Sequence, residues 1–282
     1  MSAAEAAPRA GLGACWRLLG SELRLTLGRR RNQFGLLVLA ALPVMIAVTI
    51  RISGSGGGHG PDFFSAITSN GIFVALAALS VELTLFLPLA IAVLAGDAIA
   101  GEAGLGTLRY LLTVPVPRTR LLLTKYAALA IGAVEGVVVV AAAGVVAGGL
   151  AFGLPPMTTL SGTTIPMAEA TGRLVLAVLY VSAGLAALAA VGLFISTLTE
   201  QPIVAMVATT GVAALMWILD AIPQLGWLHP WLLVHHWLAF GDLFRDPVFT
   251  DGIVRGLWLA LGYTVVFLVA ARTVFVHRDV TS

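Results

Sequence analysis

The groups in this chain that can do chemistry are few, and their placement narrows what that chemistry is. The sequence holds 14 Asp and Glu residues and 5 His. Two of the acids, Glu82 and Glu135, sit in the middle of long apolar runs. An ionisable side chain in such a run is costly and marks either a pathway or a buried polar contact. Each carboxyl can pair with a cation or hydrogen-bond to a neighbouring helix, and the second reading is favoured for both. His229, His235 and His236 form a second cluster. Imidazoles are good metal ligands, but adjacent histidines point in different directions on a helix. With no cysteine nearby and no His-Glu-x-x-His pattern, they read as polar interfacial residues, and no metal site is expected. Asp220, at the end of an apolar run, adds little to this. Cys15 is the lone cysteine, which excludes an intrachain disulfide and a multi-cysteine metal centre. Ser182 and Ser196 have no intramembrane His partner, so no protease arrangement exists. No Gly-x-x-x-x-Gly-Lys-Ser/Thr pattern occurs, and the Gly-rich stretch 53–60 lacks the lysine, so nothing here cradles a nucleotide phosphate. The chain by itself has no catalytic motif and calls for no cofactor.

The elements that must position these groups follow from composition. Hydrophobic residues make up 59% of the 282, charged residues 11%, and mean hydropathy is +0.99. A soluble domain carries about 25% charged residues. A chain with less than half that cannot cover its surface with water-compatible groups, and its apolar runs are too long and too evenly apolar for one-faced soluble helices. A helix crossing ~30 Å of hydrocarbon needs about 20 mostly apolar residues. Six segments qualify: 33–52 (bent by Pro43), 71–98, 122–150, 172–197, 202–221 and 253–275. The expected fold is therefore all-α and polytopic. Arg29, Arg30 and Arg31 ahead of the apolar run Phe34–Ile50 resemble a signal peptide, but the run reads as a retained first span.

Orientation follows from the basic residues of the short loops. Arg9, Arg17, Arg24, Arg29, Arg30, Arg31, Arg109, Arg118, Arg120, Lys125, Arg272 and Arg278 fall on the side of the N-terminus. These are twelve of the 16 basic residues. Both termini are thus expected in the cytoplasm of a cell-membrane protein, with residues 1–32 and 276–282 outside the membrane domain 33–275. Leu12, Trp16, Leu19, Leu23 and Leu27 recur at helical spacing within 11–30, while Arg17, Glu22 and Arg24 point elsewhere. Such an amphipathic helix lies in the headgroup layer, with packing on the bundle as the alternative. On the outer side, 53–61 is a flexible linker and 154–170 is rich in Pro, Thr and Ser. Residues 223–247 carry Trp227, Trp231 and Trp237 and are expected to form short helices anchored in the aromatic belt. Gly132-x-x-x-Gly136 and Gly144-x-x-x-Gly148 on the third span allow close helix approach, within one subunit rather than between copies. No basic stripe interleaved with stacking aromatics suggests nucleic-acid binding.

The most informative stretch joins the second and third spans, over 101–120. Asp97 and Glu102 stand where the second span leaves the membrane. Leu105, Leu108, Leu111 and Leu112 trace one face of a short helix, Pro115 and Pro117 stop it, and Arg118, Arg120 and Lys125 begin the next span. This ordered set, Glu102, Gly106-Thr107-Leu108, Leu111-Leu112, Pro115, Arg118 and Lys125, resembles the cytoplasmic loop of the type-2 permeases of ATP-binding cassette exporters. The six spans, the N-terminal amphipathic helix and the helical outer segment match the same plan. The resemblance covers nearly the whole chain, although only this loop is specific in sequence.

The resemblance implies that the loop is a coupling helix docking in a groove of an ATPase subunit. Leu105, Leu108 and Leu111 would give apolar contact, and Glu102 and Arg109 charged pairs at the rim. It further implies two ATPase copies carrying ATP and Mg, a second identical or homologous permease, and outward movement of a small amphipathic compound such as a drug, antibiotic or lipid. Two rival readings stand beside it. One is an ATP-independent carrier or channel coupled to ions through Glu82 and Glu135; the other is a scaffold that binds an ATPase and moves nothing.

Overall fold

The computed structural model describes residues 12–53, 70–104 and 117–277. Of the linker expected at 53–61, only Ser53 is among them, as the last residue of a helix, and the centre of the 101–120 loop lies outside them. The chain is helical almost throughout. Helix α1 is Leu12–Leu27 and α2 Arg30–Ser53. A pair follows, α3 Ile72–Thr84 and α4 Phe86–Gly96, the second running into a π-helical turn, Asp97–Gly101, and one last turn, Glu102–Gly104. Then come α5 Arg118–Phe152, a small antiparallel hairpin of β1 Met157–Thr158 and β2 Thr164–Ile165, α6 Met167–Leu198 and α7 Pro202–Asp220. Three 3-10 segments, Pro223–Leu225, His229–Trp231 and Leu233–Phe244, lead to α8 Asp251–His277. Six helices among the described residues are long and apolar enough to cross a membrane; five fall where the apolar runs predict, while the remaining one, Phe86–Gly104, overlaps only the second half of the expected run 71–98.

Helix α6 is the central one. It packs against α4, α5, α7 and α8, and it is buried nearly all round between Leu185 and Leu193. Its alanines and glycines there let four neighbours approach at once. The faces turned outward are apolar: Phe34 and Met45 on α2, Ile203 and Val207 on α7, and Trp258 and Val266 on α8 are all largely exposed. Apolar surface on that scale fits hydrocarbon as its solvent, with every helical backbone group bonded internally.

The second span is not one helix. At Leu85 the backbone leaves the helical region (φ −144°, ψ −55°). Pro88 has no N–H to give the carbonyl of Thr84, and its ring crowds that carbonyl. Helix α2, by contrast, stays helical through Pro43. The difference lies in what each segment packs on. Helix α3 lies on α5, whereas α4 turns to α6 and α7, so the break lets the two halves face different neighbours.

The third-span glycines work inside the subunit. A side chain on Gly144 would start 2.5 Å from the Cα of Ala75, and Gly148 abuts the backbone of Gly71, both at the start of α3. Gly132 and Gly136 lie against Leu94, Leu39 and Leu87.

Each end of the bundle is knitted by polar contacts. At the end opposite α1, Asn70 Nδ2 donates to the carbonyl of Pro155, and the hairpin is tied to the last 3-10 segment through Leu160 N–H to the carbonyl of Phe244. The aromatic-belt expectation needs one correction there. Trp227 and Trp231 are exposed, but Trp237 is buried. Its indole lies over Gly184 of α6, where the missing side chain leaves room, and meets Trp217 edge-on at 6.3 Å.

Candidate functional site

At the α1 end, Lys125 is the centre of a buried ionic cluster. It is the one lysine of the chain and stands two turns into α5, only 2% exposed. Its Nζ donates to Glu102 Oε1 at 2.6 Å and lies 3.2–3.3 Å from both carboxylate oxygens of Glu22. Three separate elements meet at this ammonium: α1, the turn that ends the second span, and the start of the third. A compact ammonium with three donors suits this position, since the fork of an arginine is built for one planar partner. The cluster corrects the reading of α1. Glu22, placed by helical spacing on the water-facing side, is buried against α5, while Trp16 and Leu25 are exposed. The cost of burying the acid is offset by the charge of Lys125.

A second ionic contact lies beside it. Asp97 Oδ2 accepts from Arg29 at 2.6 Å and from Arg31, joining the π-helical turn to the start of α2. That turn is held from its other side by Ser196 of α6. The Ser196 hydroxyl accepts from the N–H groups of Ile99 (3.2 Å) and Ala100 (2.9 Å) and donates to the Gly96 carbonyl (3.2 Å). A π-helical turn leaves backbone groups displaced from the regular ladder, and here one hydroxyl satisfies three of them. Gly104 closes the segment. A side chain on it would start 2.8 Å from the Glu200 carbonyl, so its backbone approaches the α6–α7 turn closely. On the far side of the loop, Arg118 donates to the carbonyls of Phe275 and Val276 and thereby caps the last turn of α8.

These contacts show how the sequence-expected residues are arranged. Gly106, Thr107, Leu108, Arg109, Leu111, Leu112 and Pro115 lie outside the described residues. Glu102 and Arg118, which flank them, are both engaged within the chain. The expectation that the Glu102 carboxylate is available to a partner therefore changes: it is held by Lys125, because the next span begins close enough for the ammonium to reach it. Glu22 and Ser196 were not foreseen in these roles. The signals were slight, a lone lysine among arginines and a lone acid in an amphipathic helix, and neither names its partner.

The two intramembrane acids have different surroundings. Glu135 lines a cleft of about 290 Å³ between α2, α4 and α5, walled by Phe34, Val38, Leu39, Phe86 and Leu94, with Arg31 also on its lining. Glu82 is outside that lining. It lies three residues before the break at Leu85, has no exposed surface, and neither of its carboxyl oxygens has a hydrogen-bond partner among the described residues. A buried polar group without a partner costs roughly 1–3 kcal/mol. Glu82→Leu is accordingly expected to stabilise the detergent-solubilised chain by about that amount in an unfolding titration. A loss of stability would show instead that the carboxyl makes a contact the fold depends on.

The histidine cluster also departs from expectation. His235 and His236 do diverge, crossing edge-on at 5.0 Å, but His235 and His229 come together, with ring centroids 5.5 Å apart. Asp220 joins them, with its Oδ1 2.6 Å from Nδ1 of His235.

A comparison with protein-family models finds a match over residues 28–219 to the family described as "ABC-2 family transporter protein". No curated protein matches the chain.

Proposed function

Because the chain belongs to the ABC-2 family of transporter proteins, we propose that it is the membrane-spanning subunit of an ATP-driven exporter. In this reading the 101–120 loop docks on an ATPase carried by a separate chain. Two ATPase copies bring ATP and Mg, and a second permease, identical or homologous, completes the route. Both termini face the cytoplasm of the cell membrane, following the excess of Arg and Lys at the α1 end.

One observation supports this most strongly. Both roots of the loop are fastened to the bundle through the same lysine, Glu102 before the loop and Lys125 after it, with Glu22 of α1 on the third side. Arg118 adds the end of α8. A push on Leu108 or Leu111 would be delivered together to α4, α5, α1 and α8, as a rigid-body displacement requires. Arg109 is the rim charge left to meet the ATPase, while Glu102 serves as the clamp. A small amphipathic cargo is supported by the apolar cleft, which has Glu135 and Arg31 on its lining.

A photo-cross-linker placed at Leu108 tests the docking. In membranes of the native host it is expected to capture a protein with a nucleotide-binding sequence, and Leu108→Asp with Leu111→Asp is expected to abolish the capture. If no such protein is ever captured, the exporter reading fails. The ion-coupled alternative has one observation in its favour, a Glu82 without a hydrogen-bond partner among the described residues, beside a broken span. It predicts flux through liposomes holding this chain alone, lost in Glu82→Gln. The exporter reading predicts flux only with the ATPase and ATP present.

A further inference from the structure

The end of the bundle opposite α1 carries three potential metal ligands from three separate elements. Asp220 is the last residue of α7, His229 lies in the 3-10 turn His229–Trp231, and His235 in the segment Leu233–Phe244. Pro223 and Pro230 turn the intervening chain back on itself, so residues up to fifteen apart in sequence converge. One carboxylate oxygen and one nitrogen from each ring all lie within 4.8 Å of one another. We infer that Asp220, His229 and His235 form a binding site for a first-row divalent transition-metal ion, with Zn²⁺ as the natural occupant.

The donor chemistry fits. Two imidazoles and one carboxylate, with a fourth position left to water, form a recognised zinc ligand set. Calcium and magnesium, which prefer six or more oxygens, are poorly served by two nitrogens. Tetrahedral bonds of ~2.0–2.1 Å place ligand atoms ~3.4 Å apart. The Asp220–His235 hydrogen bond must therefore open to admit the ion, with His229 settling at the same spacing. The side chains have freedom to do so: His229 is half-buried, and those of His235 and Asp220 are 37% and 19% exposed. That exposure also gives the ion a way in from water. The second shell is partly in place, since Nε2 of His229 lies 3.1 Å from the Ile222 carbonyl. When that nitrogen carries the proton, the carbonyl fixes the ring and leaves the lone pair on Nδ1. His236 takes no part, because its ring turns edge-on to that of His235.

An ion here would tie the end of α7 to the 3-10 segment that packs on α6 and α8. It would thus fasten this mouth of the bundle as Lys125 fastens the other.

The test uses the full chain without a polyhistidine tag, stripped with chelator and titrated with Zn²⁺ by calorimetry. Co²⁺ absorption reports the coordination. One Zn²⁺ per chain is expected, with a tetrahedral Co²⁺ spectrum. Losing a direct ligand in His229→Ala or His235→Ala should weaken binding by roughly 100-fold or more, beyond what outer-shell changes cost. His236→Ala should leave it unchanged. Thermal midpoints without metal confirm that each variant folds, and Asp220→Asn replaces any variant that does not. Absence of saturable Zn²⁺ binding overturns the proposal. So does binding that survives loss of His229 and His235, which would place the metal on His59 or His277 instead.

Discussion

Replacing Lys125 by Met is expected to destabilise the chain by about 3–5 kcal/mol, the cost of removing one partner from a buried ion pair. The ammonium is nearly inaccessible to water and holds Glu102 at 2.6 Å and Glu22 at 3.2 Å. Without it, two carboxylates face each other in a space largely shielded from solvent. The stem of Met keeps the apolar packing of the lysine, so the change isolates the charge. A triple variant, Lys125→Met with Glu22→Gln and Glu102→Gln, should recover most of the loss, since buried ionic groups replaced together are close to neutral. Unfolding titrations of the single, double and triple variants make a thermodynamic cycle that reads the coupling directly. Should Lys125→Met unfold within about 1 kcal/mol of the parent, the cluster would not hold this end together. The triple variant carries a functional consequence as well. It should be stable yet stimulate a docked ATPase poorly, because the loop's two roots would no longer be joined.

The second large effect is steric. Gly144→Leu is expected to cost about 3 kcal/mol, at the upper end of what overpacking usually costs. The atoms in the way are the Cα and Cβ of Ala75, at 2.5 and 2.8 Å from where a side chain would begin. Backbone in a packed helix cannot step aside as a side-chain tip can, so α3 and α5 would have to separate along their crossing. Gly148, against Gly71, should behave alike. The control is Gly211→Leu on α7, where nothing lies within 4 Å; it should be neutral or slightly stabilising, because Gly is a poor helix residue. Equal losses at Gly144 and Gly211 in thermal melts would show that the stripe is not a contact.

The sequence made the spans legible because lipid imposes a length. Each run of about 20 apolar residues had to be a crossing helix, whatever it packed on. The loop flanked by Glu102 and Lys125 was read from local signals, its proline stops and leucine spacing, and its centre lies outside the described residues. The break at Leu85 was less legible. Pro88 and Pro43 look alike in sequence, and only the neighbours of α4 decided which helix parted. Trp237 was misplaced on the same grounds, since its burial depends on Gly184, more than fifty residues away.

What the sequence determined alone was therefore the solvent of the protein and its helices. Those are fixed by local composition and by the need to satisfy backbone hydrogen bonds within each helix. The tertiary structure decided the pairings: Glu22 and Glu102 on Lys125, Ser196 on the π-helical turn, Gly144 on Ala75, and Asp220 with His229 and His235. A charge, a hydroxyl or a missing side chain has meaning only against what faces it. In a bundle of near-uniform apolar helices, the facing residue comes from packing that periodicity does not specify.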